Sequence, residues 1–155
     1  DVLRGVATVD AVRLVHDVGR SLDEAIDRGQ IEGALAQGLG WMLLEDVRWD
    51  GQGRLLHDTA GKCKVPDLGF MPAEVDVTLL EEAANPEAVL GSKAVGEPPF
   101  MYGIGAWFAL QDALLAANPD LDPTRTVAPL TPERILQQLV GEWPATVITP
   151  EESRS

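Results

Sequence analysis

The stretch Gly91-Ser92-Lys93-Ala94-Val95-Gly96-Glu97-Pro98-Pro99-Phe100 sets a cation and a carboxylate four residues apart in a glycine-bearing loop. Glycine lets a backbone come close to a ligand, and Pro98 stiffens the chain directly after Glu97. A helix predicted to begin near residues 99–101 puts Glu97 at its entry, where a carboxylate commonly caps the first turn and complements the helix dipole. The free N–H groups of such an entry also suit a bound anion. Spacing alone favours a capping role for Glu97 and a solvated surface role for Lys93.

A second unusual stretch is Gln30-Ile31-Glu32-Gly33 followed by Gln37-Gly38-Leu39-Gly40. The amides of Gln30 and Gln37 offer donors and acceptors that could read a heterocycle edge or a metal-oxo group, and they are equally ordinary on a helix surface. His16 and His57 have no partner at metal-ligand spacing and read as structural. Cys63 stands between Lys62 and Lys64, cations able to lower a thiol pKa, but no histidine adjoins it and it reads as a strand cysteine. The tryptophans at 41, 49, 107 and 143 are dispersed and read as core or interface residues. No set of side chains forms a metal-ligand motif.

The elements that must position these residues are short and mixed. Val2, Val6, Thr8, Val12, Leu14 and Val15 predict a strand from close to Asp1, which in turn predicts that the chain begins inside a domain. Residues 16–21 read as a turn. Ile31, Ala34, Leu35, Gly38, Leu39, Met42 and Leu43 recur at spacings of three and four, predicting a helix within 23–47. Its glycines suggest close approach of another backbone or a ligand. Residues 48–56 read as a hairpin with Asp50-Gly51 at the turn, and residues 75–80 alternate as a strand with one buried face. A helix is predicted over about 101–117, ended by Asn118-Pro119, and another from Thr131-Pro132-Glu133 to about Val140. Strands and helices without a regular βαβ rhythm predict an α+β fold. The domain is expected over 1–143, with 144–155 a polar C-terminal tail.

The chain has 155 residues, room for one ordinary domain. Its 12 Lys and Arg against 25 Asp and Glu give a net charge of −13, which disfavours nucleic acid and anionic membrane surfaces as partners. No apolar run is read as reaching the length of a membrane span. The single cysteine excludes an internal disulfide and a four-cysteine iron–sulfur site, and predicts a cytoplasmic setting.

Together the segments resemble a known family. The residues that carry the resemblance are His16-Asp17-Val18-Gly19-Arg20-Ser21-Leu22, Ala25-Ile26-Asp27, Gly29-Gln30-Ile31-Glu32-Gly33, Gln37-Gly38-Leu39-Gly40-Trp41, Lys64-Val65-Pro66 and Ser92 through Phe100. In order and spacing, from about residue 2 to about residue 138, the chain resembles the C-terminal portion of the molybdopterin-binding domain of xanthine dehydrogenase-type molybdenum hydroxylases, the xanthine oxidase family. The resemblance implies a molybdenum ion held by the dithiolene of a pterin, so protein ligands to the metal are not expected. It implies that Glu97, in Gly-Glu-Pro-Pro, is a general base taking a proton from a metal-bound hydroxyl, and that a carboxylate within hydrogen-bond reach suits the task. It implies that Gln30 hydrogen-bonds the pterin and that Lys93, Ala94, Val95 and Gly96 form the loop wrapping the cofactor, mainly through backbone contacts.

The pattern departs from the family at Asp23-Glu24, where Asn-Pro is common, and at Cys63, where an aromatic residue is common. Both lie outside the Gly-Glu-Pro-Pro motif. The substrate-orienting arginine, the aromatic residues that sandwich a purine, and a further cofactor-binding glutamine belong to upstream family segments. FAD and [2Fe-2S] clusters are expected on other domains or subunits, as are the remaining segments of the molybdenum subunit, in an oligomer. The chain is expected to be about a fifth or less of such an enzyme. The wording Ser-Lys-Ala-Val-Gly-Glu-Pro-Pro points to purine oxidation, hypoxanthine or xanthine to urate. The alternatives are an aldehyde or N-heterocycle hydroxylase, or a detached chain acting only as an interaction module.

Overall fold

The computed structural model describes residues 1–81 and 83–140. Trp143 and the expected tail over 144–155 lie outside them. Among these residues two strands and four α-helices follow in the order β1 (Ala11–His16), α1 (Glu24–Leu43), α2 (Ala60–Cys63), β2 (Glu74–Leu79), α3 (Gly103–Ala117) and α4 (Pro132–Val140). Helices beside a small two-stranded sheet make the architecture α+β, as the sequence predicts.

β1 and β2 pair in parallel, from Ala11 opposite Glu74 to His16 opposite Leu79. A parallel pair needs a crossover, and α1 lies within it. Both strands alternate, Val75, Val77 and Leu79 turning inward while Glu74 and Thr78 face water, the period-two pattern of a half-buried strand. The opening strand begins later than the β-branched content suggests: residues 2–5 form a turn, and β1 starts only at Ala11, where pairing with Glu74 begins. There Gly5, at φ +65°, lies against α4, where a Cβ would stand 2.2 Å from the Pro132 carbonyl oxygen.

α1 starts where Asp23 accepts hydrogen bonds from the N–H groups of Ala25 and Ile26, a side-chain cap that serves donors the helix cannot satisfy itself. Its inner face divides between two apolar clusters. Ile31 joins Val18 and Val77 beneath the sheet. Leu35, Leu39, Met42 and Leu43 join Leu114 of α3, Ile135 of α4 and Leu130 of the connector between them.

Two expectations need correcting. Cys63 ends the single turn of α2 rather than sitting in a strand, because the Thr59 hydroxyl caps that turn and Lys64, at φ 60°, closes it. The run Pro98–Ala117 does reach 20 residues, with mean hydropathy 1.2. Its small Gly and Ala residues sustain the apolar average around Gln111 and Asp112, so a span-length run exists where none was read. Here it packs on α1 and α4. The hairpin forms as expected around Asp50, with Trp49 bridged to Leu55.

Candidate active site

The segment that leaves β1 and the segment that carries Glu97 lie side by side. Arg20 N–H donates to the Gly91 carbonyl at 2.8 Å and Lys93 N–H to the Val18 carbonyl at 2.8 Å, while Gly19 bridges Ser92 in antiparallel fashion. Gly19 is required here, since at φ +64° its Cβ would lie 2.5 Å from the Gly91 oxygen. Asp17 adds a side-chain tie. It accepts Gly19 N–H at 2.8 Å and forms an ion pair with the Lys93 ammonium. The Lys93 contact, helped by the Gly19 N–H, holds the Asp17 carboxyl below the usual carboxylate range. Two residues on, Val95 packs against the Val18–Ile31–Val77 cluster.

Past Val95 the chain reaches the residues that the sequence singles out. A Cβ placed on Gly96 would lie 3.5 Å from Gln30 Oε1, so the fold brings the glutamine of α1 over the residue before Glu97. Glu97 is exposed and begins the 3-10 turn Pro98–Tyr102, but its carboxylate makes no capping hydrogen bond. Among the described residues no hydrogen bond or ion pair engages that carboxylate. The capping role favoured by spacing is therefore not the one seen. Glu97 also precedes a 3-10 turn and not α3 itself, because Pro98 and Pro99 carry no N–H and Phe100 N–H reaches back three residues to the Glu97 carbonyl at 3.0 Å.

The N–H groups of Ala94, Val95, Gly96 and Glu97 find no acceptor among the described residues. Successive free N–H groups form an anion- and acceptor-binding lining. Lys93 differs from these, with its N–H on Val18 and its ammonium on Asp17. Gln37 is exposed and is not brought to this loop by any hydrogen bond among the described residues.

The turn after Glu97 is braced from behind. Pro99 is buried, and Phe100 stacks on Trp41 of α1 with ring centroids 4.9 Å apart. α1 and α3 cross at glycines: a Cβ on Gly38 would lie 2.2 Å from the Phe100 oxygen, and one on Gly103 would lie 2.1 Å from the Gly38 oxygen. Tyr102 reaches His16 at the end of β1. The sequence reading passed over Tyr102. No motif marks it, and its one signal is its place five residues after Glu97.

The glycines of α1 thus divide. Gly38 and Gly40 are forced by contacts within the chain, whereas a Cβ on Gly29 or Gly33, either side of Gln30, would meet nothing within 4 Å. An open glycine face on the helix that carries Gln30, whose amide lies by the loop of unpaired N–H groups, fits a large polar cofactor that needs close backbone approach. Among the described residues no three of His, Cys, Asp and Glu converge. The donor set offers hydrogen bonds rather than metal ligands, and this suits a group that brings its own.

Comparison with known proteins gives the family. Residues 1–72 match the family model described as a molybdopterin cofactor-binding domain. The chain is 43% identical over 84% of its length to a xanthine dehydrogenase/oxidase of Gallus gallus, of which it covers 10%. It is 39% identical over 96% of its length to xanthine dehydrogenase 1 of Arabidopsis thaliana, covering 12% of it. Among solved structures, it aligns with quinoline 2-oxidoreductase from Pseudomonas putida 86 at TM-score 0.73 and 30% identity, over 85% of this chain and 16% of that one. The aldehyde oxidoreductase of Desulfovibrio desulfuricans ATCC 27774 aligns at TM-score 0.70 and 28% identity, over 88% and 14%. The chain spans about a tenth of the length of its curated relatives, and it belongs to the xanthine oxidase family of molybdenum hydroxylases, within the molybdenum-binding region.

Proposed function

We propose that this chain supplies the general base and one wall of the molybdopterin site in a purine-oxidising hydroxylase. The observation that carries the reading is the state of Glu97. Its carboxylate is exposed, spends no hydrogen bond on capping, and follows a glycine lying beneath Gln30. A carboxylate on a fixed backbone with no competing partner can accept a proton at either Oε from a donor within about 2.6–3.2 Å. Gln30 would hydrogen-bond the pterin through its amide, and the free N–H groups of Ala94, Val95 and Gly96 would donate to its acceptors. Lys93 would serve the same loop indirectly, by anchoring it to Asp17 and Val18. When bound, the molybdopterin group supplies the redox centre at which the substrate is oxidised.

The purine substrate is supported by relatives of 39–43% identity named as xanthine dehydrogenases. A chain spanning so little of them works only with the remaining segments of the molybdenum subunit and with FAD- and [2Fe-2S]-bearing domains or subunits. We assign it to an oligomer in the cytoplasm, without nucleic acid or membrane partners. By itself it is catalytically inert. The fold is shared with a quinoline and an aldehyde oxidoreductase, so a panel of purines, N-heterocycles and aldehydes on the complete protein fixes the substrate class. Preference for a non-purine would replace the purine assignment while leaving Glu97 as base.

Substitution of Glu97 tests the central claim. Glu97→Gln in the complete protein should lower turnover about 10²–10⁴-fold with molybdenum content unchanged. Near-normal turnover overturns the role of Glu97.

A further inference from the structure

His16 is the last residue of β1 and Tyr102 the last of the turn that starts at Glu97. Their side chains meet with Nδ1 and the phenol oxygen 2.5 Å apart, and the rings stand edge to face, centroids 5.6 Å apart at 84°. Only 7% of the His16 surface is exposed. Burial pushes the imidazole below its ordinary pKa, against the pull of Asp17 and Asp27, and pushes the Tyr102 phenol up. The two shifts favour the neutral form of each, which leaves a single hydrogen bond between the imidazole and the phenol.

A packing role alone does not explain this pair. The other imidazole nitrogen, Nε2, is buried without a partner among the described residues, a desolvation cost that an apolar side chain in the same place would avoid. The bond has a particular location instead. Among the described residues Glu97 has no side-chain tie of its own, so what the chain itself can fix is the position of the backbone from which its carboxylate extends. That backbone is fastened before and after Glu97 to three consecutive residues at and just past the end of β1. Asp17 and Val18 hold Lys93, four residues before it, and His16 holds Tyr102, five residues after it.

We propose that His16 and Tyr102 are a positioning pair that aims the Glu97 carboxylate, with the Asp17–Lys93 ion pair as its counterpart on the other side. The inference rests on the reading of Glu97 as general base. A misplacement of about 1 Å at a reacting group costs on the order of 10²-fold in rate, so one hydrogen bond at this place carries weight far beyond its share of stability.

The test uses the complete, cofactor-loaded protein and Tyr102→Phe, which removes one oxygen and keeps the ring. The expected result is a fall in kcat of about 10–100-fold, KM within about twofold, unchanged molybdenum content, and faster amide exchange across residues 96–103. His16→Gln, which keeps an acceptor for the phenol, should recover part of the lost kcat relative to His16→Leu. Unchanged kcat and unchanged exchange in Tyr102→Phe overturn the proposal, and so does a loss of kcat matched by an equal loss of molybdenum. A normally active Glu97→Gln removes the base and with it the reason for aiming it. An inactive Glu97→Gln beside an unaffected Tyr102→Phe removes the positioning pair alone.

Discussion

The two ends of α1 are held by different physics. Its C-terminal half lies in the larger cluster, where Leu35 and Leu39 are fully buried against α3, α4 and the connector. Its N-terminal half, with Gln30, places Ile31 in a cluster of only three buried residues, and the neighbouring Glu97 loop is fastened by paired backbone groups, one ion pair and one imidazole–phenol bond. Apolar burial is strong but indifferent to direction, whereas hydrogen bonds are weak in net stability and demanding in geometry. The packed end therefore carries most of the buried core, and the tied end holds the backbone segment that bears Glu97. Substitutions should separate the two.

The largest effect belongs to the packed end. Leu39→Ala removes a side chain with 0% exposure and should cost about 2–5 kcal/mol, read as a lower urea midpoint. A cost below about 1 kcal/mol would show that the larger cluster does not carry the fold. Gly38→Ala probes the boundary. Its Cβ would stand 2.2 Å from the Phe100 carbonyl, a backbone atom with no rotamer to escape into. A loss of about 1–3 kcal/mol is expected, with a fall in turnover of the complete protein because the turn after Glu97 must move. Loss of stability with full turnover would uncouple the two ends.

Gly33→Ala has the opposite sign. It meets nothing within 4 Å and lies in a helix, so it should stabilise the chain by about 0.5–1 kcal/mol. If the open face of α1 is occupied in the complete protein, the same change lowers molybdenum retention there, and normal retention would free that face of the role. The smallest effect is expected from Asp17→Asn. Asp17 has its pKa lowered below the ordinary 3.8, chiefly by Lys93. Its contribution is present above that pH and lost as pH falls through the folded value. The pair is exposed, so the wild type and the variant should differ little at neutral pH and converge in acid. A gap that persists below the carboxylate range would assign the effect to something other than this charge.

Much of the architecture is legible in the residues. The spacing of Ile31 to Leu43 predicts a helix over 23–47 where α1 spans Glu24–Leu43, and the alternation after Val75 predicts β2 within a residue. The Thr-Pro-Glu start of α4 is read equally closely. What escapes has a common cause, contact between distant segments. β1 pairs with β2 across the whole of α1 and the hairpin, and no local pattern records that pairing. The turn at residues 2–5 sets Gly5 against Pro132 of a helix more than a hundred residues away. Gln30 and Gly96 enter as family residues, but their meeting is a property of the fold. Tyr102 could be found only by following the chain past Glu97 to the partner it reaches.

The crossing of Gly38 and Gly103 has a mechanical meaning. Where two helices touch through side chains, rotamers provide a layer that yields under load. Here backbone rests on backbone, so the joint has no cushion and close-packed interiors transmit strain. Gln30 lies eight residues from Gly38 along α1, roughly 12 Å at the helical rise, and Glu97 lies just before the other side of the joint. A displacement of α1 at this joint is therefore met by the backbone of the turn that follows Glu97 and not absorbed by side chains, as on a hard fulcrum.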